Sequence, residues 1–334
     1  MSKLLISHID SDGVPPLLFA ELFKDKLNFS LTIREDYGFE QDPEKYKLLE
    51  LHDELIFADM SIPENVYDDL IKRGKHIEFY DHHESSKWIK ERGADGVWDD
   101  SMCGSKIFWI HYVKPRIKRY NPIIEQLIDI VDTYDCWREE SPLWEDAKGF
   151  NAVMYGGKGF YDWKATDHMK QIRGFLDHLK KKFETSTEWF WDEDELKMID
   201  EGRRKENKTY ENSVLGMQKR VDGKGRTFGI ILIGARVSVV CSRILEDYPE
   251  LDYLVAIVDI RGITGKISFR SKRQNFDLNE IASAKGHKLA CGGGFSNGSF
   301  CKKLWENKNM CFRYKDDPDY VEGNENTYLM NVLE

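Results

Sequence analysis

Cysteine is sparse: six residues in 334, at positions 103, 136, 241, 291, 301 and 311, with no CxxC pair among them. In a chain this long that spacing suits reduced cytosolic thiols, mostly core. Long hydrophobic runs are missing too, so no membrane span is expected, and the opening MSKLLISHID meets charge too early for a secretory leader. Positive charge is in deficit. The 49 Lys and Arg against 59 Asp and Glu give a net charge of −10, a field that repels long polyanions and makes long duplex DNA an unexpected partner. No repeat of fixed period and no low-complexity tract is present. A soluble, cytoplasmic protein is expected, without a membrane partner.

What is present is a globular composition, 41% hydrophobic and 32% charged, in a chain long enough for two domains. Apolar runs at KLLIS (3–7), LTIRE (31–35), DELIFADMS (53–61) and HIEFYD (76–81) read as strands. Between them, PPLLFAELFKDKL and PENVYDDLIKRGK have proline at the start and helical apolar spacing. This alternation predicts an α/β fold with a parallel, doubly wound sheet. Residues from about 104 to 132 read as two helices. Charge and aromatics dominate from about 145 to 215, with helical spacing in MKQIRGFLDHLKKKF, as expected of a helical connector. A second, smaller α/β domain begins near 222: strand RTFGIILIG, helix VSVVCSRILEDY, strands YLVAIVDI and GKISFRS, helix DLNEIASAK and a glycine-rich loop, GHKLACGGGFSNGS. The expected division is 1–140, a connector 141–221, a second domain 222–312 and a tail 313–334.

Three strands end on acidic or imidazole side chains: His8, Asp10 and Asp12 in HIDSDG, Asp59 in FADMS, and Asp81, His82 and His83 in YDHHE. In a parallel sheet these ends share one edge, where open α/β folds bind ligands. Each motif has a plain reading: HIDSDG as a solvated turn, Asp59 as a helix cap, Asp132 and Asp135 as acids at a helix end. Together they suit two divalent cations, because so many like charges need cations to stay ionised. Imidazole among carboxylates favours Mn2+-like ions, and a metal pair serves attack of water on phosphorus.

These motifs, in this order, resemble the DHH phosphoesterase superfamily, the second half resembling its DHH-associated domain. The resemblance implies His8 and Asp10 at one metal, Asp12, His82 and Asp132 at the other, and Asp59 bridging, with Asp135 the rival to Asp132. It implies His83 beside the scissile phosphate and Asp81 orienting the histidine pair. In ISFRSK and KGHKLACGGGF it implies substrate binding by Arg270, Ser271, Gly286, His287, Gly292 and Gly293, with the active site in the cleft between the domains. The cofactors implied are two divalent cations, Mn2+ first and Mg2+ as the alternative. The HxDxDG form is closest to the oligoribonuclease (nanoRNase) branch, RecJ-like in the broad sense. The expected activity is therefore hydrolysis of short oligonucleotides, preferably RNA, to mononucleotides. The alternatives are a RecJ-like single-strand DNA exonuclease and a cyclic-dinucleotide or nucleotide phosphoesterase. Aromatics of the connector, among them Tyr161, Trp163, Trp189 and Trp191, are candidates for base stacking and equally for core. Oligomeric state stays open, a homodimer among the options.

Overall fold

The computed structural model describes residues 2–162, 164–234, 236–259, 265–273, 275–281, 284–295, 299–322, 324 and 328–331. The chain divides into two compact units, Met1–Gly202 and Arg203–Glu334. No helix among the described residues is long and apolar enough to cross a membrane.

The first unit is built from β1 (Lys3–His8), α1 (Val14–Leu22), α2 (Lys24–Leu27), β2 (Leu31–Glu35), α3 (Pro43–Leu51), β3 (Glu54–Ala58), α4 (Glu64–Lys72), β4 (His76–Asp81), α5 (Trp88–Arg92) and β5 (Gly96–Trp98). It continues with α6 (Gly104–Phe108), α7 (Ile123–Asp135), α8 (Trp144–Gly156), α9 (His168–Thr185) and α10 (Glu193–Leu215), inside which the two units divide. All neighbours in the sheet, order β2-β1-β3-β4-β5, pair in parallel. Strand residues alternate between two cores. Leu5, Ile56, Ala58 and Tyr80 face α1, α6, α7, α8 and α9, and Leu4, Ile6, Leu55, Phe57, Ile77 and Phe79 face α3, α4 and α5. The doubly wound arrangement follows from strands that are apolar on both faces. Burying each of the Leu, Ile and Phe side chains contributes about 1.5–3 kcal/mol before the entropy of ordering is counted.

The first helix is shorter than its apolar pattern suggests, since α1 stops at Leu22 and a four-residue turn of helix follows. Pro15 and Pro16 occupy its first turn, where the missing N–H would have had no partner, and both are buried.

The second unit has β6 (Gln218–Val221), β7 (Thr227–Leu232), α11 (Val237–Asp247), β8 (Tyr253–Asp259), β9 (Gly265–Arg270), β10 (Lys285–His287), β11 (Ala290–Phe295), α12 (Ser299–Glu306), β12 (Met310–Phe312) and β13 (Leu329–Asn331). Its six-stranded sheet, order β10-β11-β9-β8-β7-β6, is mixed, with only β7 and β8 parallel. Two expectations fail here. The glycine-rich segment is largely a hairpin: Gly292 pairs with Lys285 on one side and Ser268 on the other, and this two-sided pairing holds a glycine run extended. DLNEIASAK is not a helix over its described residues. A single 3-10 turn spans Leu278–Glu280, and Ile281 then bridges Tyr314, a tertiary contact that outweighs helical propensity.

Candidate metal centre

Register brings the motifs together. Ser7 of β1 pairs with Ala58 of β3, and Ala58 with Tyr80 of β4, so His8, Asp59 and Asp81 stand side by side where three parallel strands end. Beyond β1 the chain folds back at once. The Ser7 hydroxyl donates to the Gly13 carbonyl at 2.8 Å, and a Cβ at Gly13 would fall 1.9 Å from the His8 carbonyl oxygen, so only glycine closes this turn.

Asp59 is the centre of the cluster. Its backbone is left-handed at φ 61, a costly conformation for a non-glycine residue and one tolerated best by Asp and Asn. Its carboxylate is 0% exposed, and neither oxygen accepts a hydrogen bond. Three imidazoles surround it instead. His8 Nδ1 lies 3.7 Å from Oδ2, and His82 Nε2 and His83 Nδ1 lie 3.4 and 4.0 Å from Oδ1. Gly104, the first residue of α6, is pressed against it: a Cβ there would meet Asp59 Cα at 2.5 Å and Oδ1 at 2.7 Å.

Around this core, His8 Nδ1 contacts Asp10 Oδ2 at 3.0 Å, and Asp10 Oδ1 accepts from the amides of Asp12 and Gly13 at 3.0 Å each. Asp81 accepts from the His82 amide at 2.8 Å and from His83 Nδ1 at 2.8 Å, which fixes the orientation of the histidine pair. His82 Nε2 reaches Asp135 Oδ2 at 3.2 Å. Ligating atoms of His8, Asp10 and Asp59, and of Asp59, His82 and His83, each gather within 4.8 Å. Asp12 borders the cluster but is engaged by Ser105, whose amide donates to it at 3.2 Å and whose hydroxyl donates as well.

The two candidate fourth acids have different surroundings. Asp132 lies among donors rather than in the cluster: it accepts from the Cys103 amide at 2.9 Å, from Lys106 Nζ at 3.0 Å and from the Arg138 guanidinium. Three residues on, at the end of α7, Asp135 faces His82. The Cys103 amide, the Lys106 ammonium and the Arg138 side chain all engage Asp132 and not Asp135, and helix periodicity alone shows none of them.

Electrostatics follow from this crowding. Burial, with Asp12 and Asp10 close by, pushes the Asp59 carboxyl well above its usual range. Burial and Asp12 push Asp135 up to about 7, and its place at a helix C-terminus adds an unfavourable dipole. Burial alone would lower the His8 ring, but Asp10, Asp36 and Asp59 outweigh it and hold the ring well above the ordinary histidine range. His82 is held up similarly, chiefly by Asp135 against burial, and His83 by Asp81. Despite its burial, Asp81 is held low by His83.

Sequence reasoning missed Tyr37, which is 42% exposed. Its ring lies 5.1 Å from that of His8 and 5.6 Å from that of His83, so it stands at the mouth of the centre. The only signal was an aromatic two residues beyond a strand, too common to single out. Gly104 was missed as well, because a close approach to Asp59 leaves no local pattern.

In the second unit, Arg270 donates to Ser268 Oγ at 2.6 Å, to the Phe269 and Cys291 carbonyls at 2.8 and 3.2 Å, and to Ser238 Oγ at 3.2 Å. With Lys266, Ser268, Gly292 and Gly293 it lines a cleft of about 410 Å3. Ser271 is turned inward, its hydroxyl donating to the Asp252 carbonyl at 2.7 Å and accepting from the Arg273 amide, so it does not face that cleft. Gly286 lies in β10, and His287 pairs there with Ala290; the placement of the His287 side chain lies outside the described residues. Of the connector aromatics, Trp189 and Trp191 pack against the core and flank the buried Lys182 ammonium at 4.8 and 5.2 Å, while Trp163 lies outside the described residues.

No protein-family model and no curated protein matches the chain. Solved structures do. The DHH domain of a member of a ribosomal-protein family is 15% identical with a TM-score of 0.59, covering 91% of this chain and 85% of that one. The pGpG-specific phosphodiesterase PggH from Vibrio cholerae is 11% identical with a TM-score of 0.51, covering 92% and 97%. The exonuclease RecJ bound to manganese is 14% identical with a TM-score of 0.47, covering 88% and 86%. Fold and site together define an α/β protein with a histidine-bearing polyacidic centre at its strand ends. That fold is the one carried by the DHH-domain proteins.

Proposed function

We propose that the chain is a divalent-metal-dependent phosphodiesterase that hydrolyses short single-stranded oligonucleotides, RNA in first place, to mononucleotides. One observation carries the reading: the Asp59 carboxylate, 0% exposed and without a hydrogen-bond donor, at the meeting point of three imidazoles. A buried carboxylate that accepts no hydrogen bond is costly unless a cation joins it. The donor set fits divalent cations. His8, Asp10 and Asp59 would hold one, and Asp59, His82 and Asp135 a second, with Asp12 alongside; nitrogen among carboxylate oxygens favours Mn2+ over Mg2+.

Bound there, a pair of divalent cations supplies Lewis acidity toward a phosphate oxygen and lowers the pKa of water. The chain's own residues do the rest. Asp81 keeps the His83 ring in place through Nδ1, so that Nε2 is the atom to meet the phosphate or hold a proton for the leaving oxygen. Tyr37, exposed beside His8 and His83, offers a face on which a terminal base stacks. In the second unit, Arg270 and Lys266 with the Gly292–Gly293 backbone are the proposed grip on a substrate phosphate. The neighbour named as a pGpG-specific phosphodiesterase acts on a linear dinucleotide, which supports a short substrate, as does the net charge of −10.

The test is a length-and-sugar panel: purified protein, Mn2+ and labelled RNA or DNA from dinucleotide to long single strand, with a cyclic dinucleotide included. Faster turnover of dinucleotides than of long strands is expected. Equal or faster turnover of long DNA sinks the short-oligonucleotide reading and favours a RecJ-like exonuclease.

A further inference from the structure

Cys136 is the one cysteine of the six that is not buried. It follows Asp135 directly and caps the C-terminus of α7. Its Sγ gathers with ligating atoms of His82 and Asp135 so that all three lie within 4.8 Å of one another. The sulfur also lies 3.5 Å from Asp132 Oδ1, an acid already engaged by Lys106, Arg138 and a backbone amide. A second observation points to a ligand at this corner. Asp135 Oδ2 is buried and accepts no hydrogen bond, and His82 Nε2, 3.2 Å from it, lies 3.4 Å from the Asp59 carboxylate, which accepts none either.

The two halves of the centre therefore differ in chemistry. His8, Asp10 and Asp59 offer one nitrogen and carboxylate oxygens, the donor set of a hard ion. His82, Asp135 and Cys136 offer nitrogen, oxygen and sulfur, and sulfur selects zinc-like ions over manganese or magnesium. We propose that Cys136 is a sulfur ligand at the His82–Asp135 position, making the centre asymmetric, with a thiophilic divalent ion such as Zn2+ or Co2+ preferred on that side. The inference rests on the metal-centre reading above. Binding forms a metal–sulfur bond and breaks the S–H bond, the proton leaving to solvent.

Cobalt reports this without any assay of activity. The full-length, metal-free protein is titrated with Co2+ and followed in the near ultraviolet, where sulfur-to-cobalt charge transfer absorbs. A band that saturates with binding is expected in the wild type and in Cys241→Ser, and is absent from Cys136→Ser although that variant still takes up cobalt calorimetrically. Cys136→Ala and zinc–manganese competition give a second reading: zinc affinity drops by about tenfold or more while manganese affinity changes little. Cobalt uptake without the band, or a band that survives in Cys136→Ser, overturns the sulfur ligand and leaves the metal centre standing. A wild-type protein that binds no cobalt at all overturns both.

Discussion

Burial, with Asp12 and Asp10 close by, makes the ionised form of Asp59 costly, so Asp59→Asn has two effects of opposite sign. Asparagine accepts the left-handed backbone at φ 61 about as readily as aspartate, and the change deletes charge without forcing the main chain to move. In chelator the wild type holds the Asp59 carboxyl at 0% exposure with no hydrogen bond on either oxygen. Leaving a buried polar group unsatisfied costs about 1–3 kcal/mol, and the three nearby imidazoles offset part of it, so the variant gains about 1–2 kcal/mol. For a unit the size of Met1–Gly202, each kcal/mol moves the melting temperature by about 2–4 °C, which puts chelated Asp59→Asn about 2–8 °C above chelated wild type. With Mn2+ at a hundredfold excess over its dissociation constant, the wild type gains about 2.7 kcal/mol and melts about 5–10 °C higher. The variant does not respond. Scanning calorimetry of both proteins, with chelator and with Mn2+, measures all four values. An equal Mn2+ shift in the two proteins, or a chelated variant that melts below the wild type, refutes the reasoning.

Asp135→Asn abolishes tight Mn2+ binding measured calorimetrically, whereas Asp132→Asn leaves it within about threefold and instead destabilises the fold by about 2 kcal/mol, since it strands Lys106 and Arg138, both partly solvated. Gly104→Ala, whose Cβ would sit 2.5 Å from Asp59 Cα, costs about 1–3 kcal/mol of stability in denaturant melts and weakens Mn2+ binding with it. The pH dependence has a definite sign. Asp135 is raised from 3.8 to about 7, so its favourable contribution is full below its unfolded value and is lost as pH rises through about 7. Chelated protein thus loses stability across that window, while Mn2+ affinity, which needs the carboxylate, climbs; melting curves and titrations on either side of pH 7 read both trends.

The sheet was legible because its strands are apolar on both faces and separated by proline-led helices, a pattern set by local chemistry. The strand-end cluster was legible for a related reason: parallel pairing forces consecutive strand ends to one edge, so HIDSDG, Asp59 and YDHH could be placed together from order alone. The choice between Asp132 and Asp135 was not. Both lie in the last turns of α7, and the donors that claim Asp132 come from the Cys103 amide, Lys106 and Arg138. Likewise, Gly104 and Tyr37 owe their places to approaches across the fold that leave no trace in neighbouring residues. The GHKLACGGGF stretch misled because glycine runs suggest loops, and the β9 edge that extends it lies elsewhere in the chain.

Hydrolysis of a linear RNA dinucleotide by the wild type, with Mn2+ and again after chelation, followed by chromatography of the mononucleotide products, tests the central claim most directly. Release of mononucleotides that stops on chelation, returns with Mn2+ and is absent from Asp59→Asn is the predicted result. Turnover that survives chelation, or persists at a near-normal rate in Asp59→Asn, contradicts it.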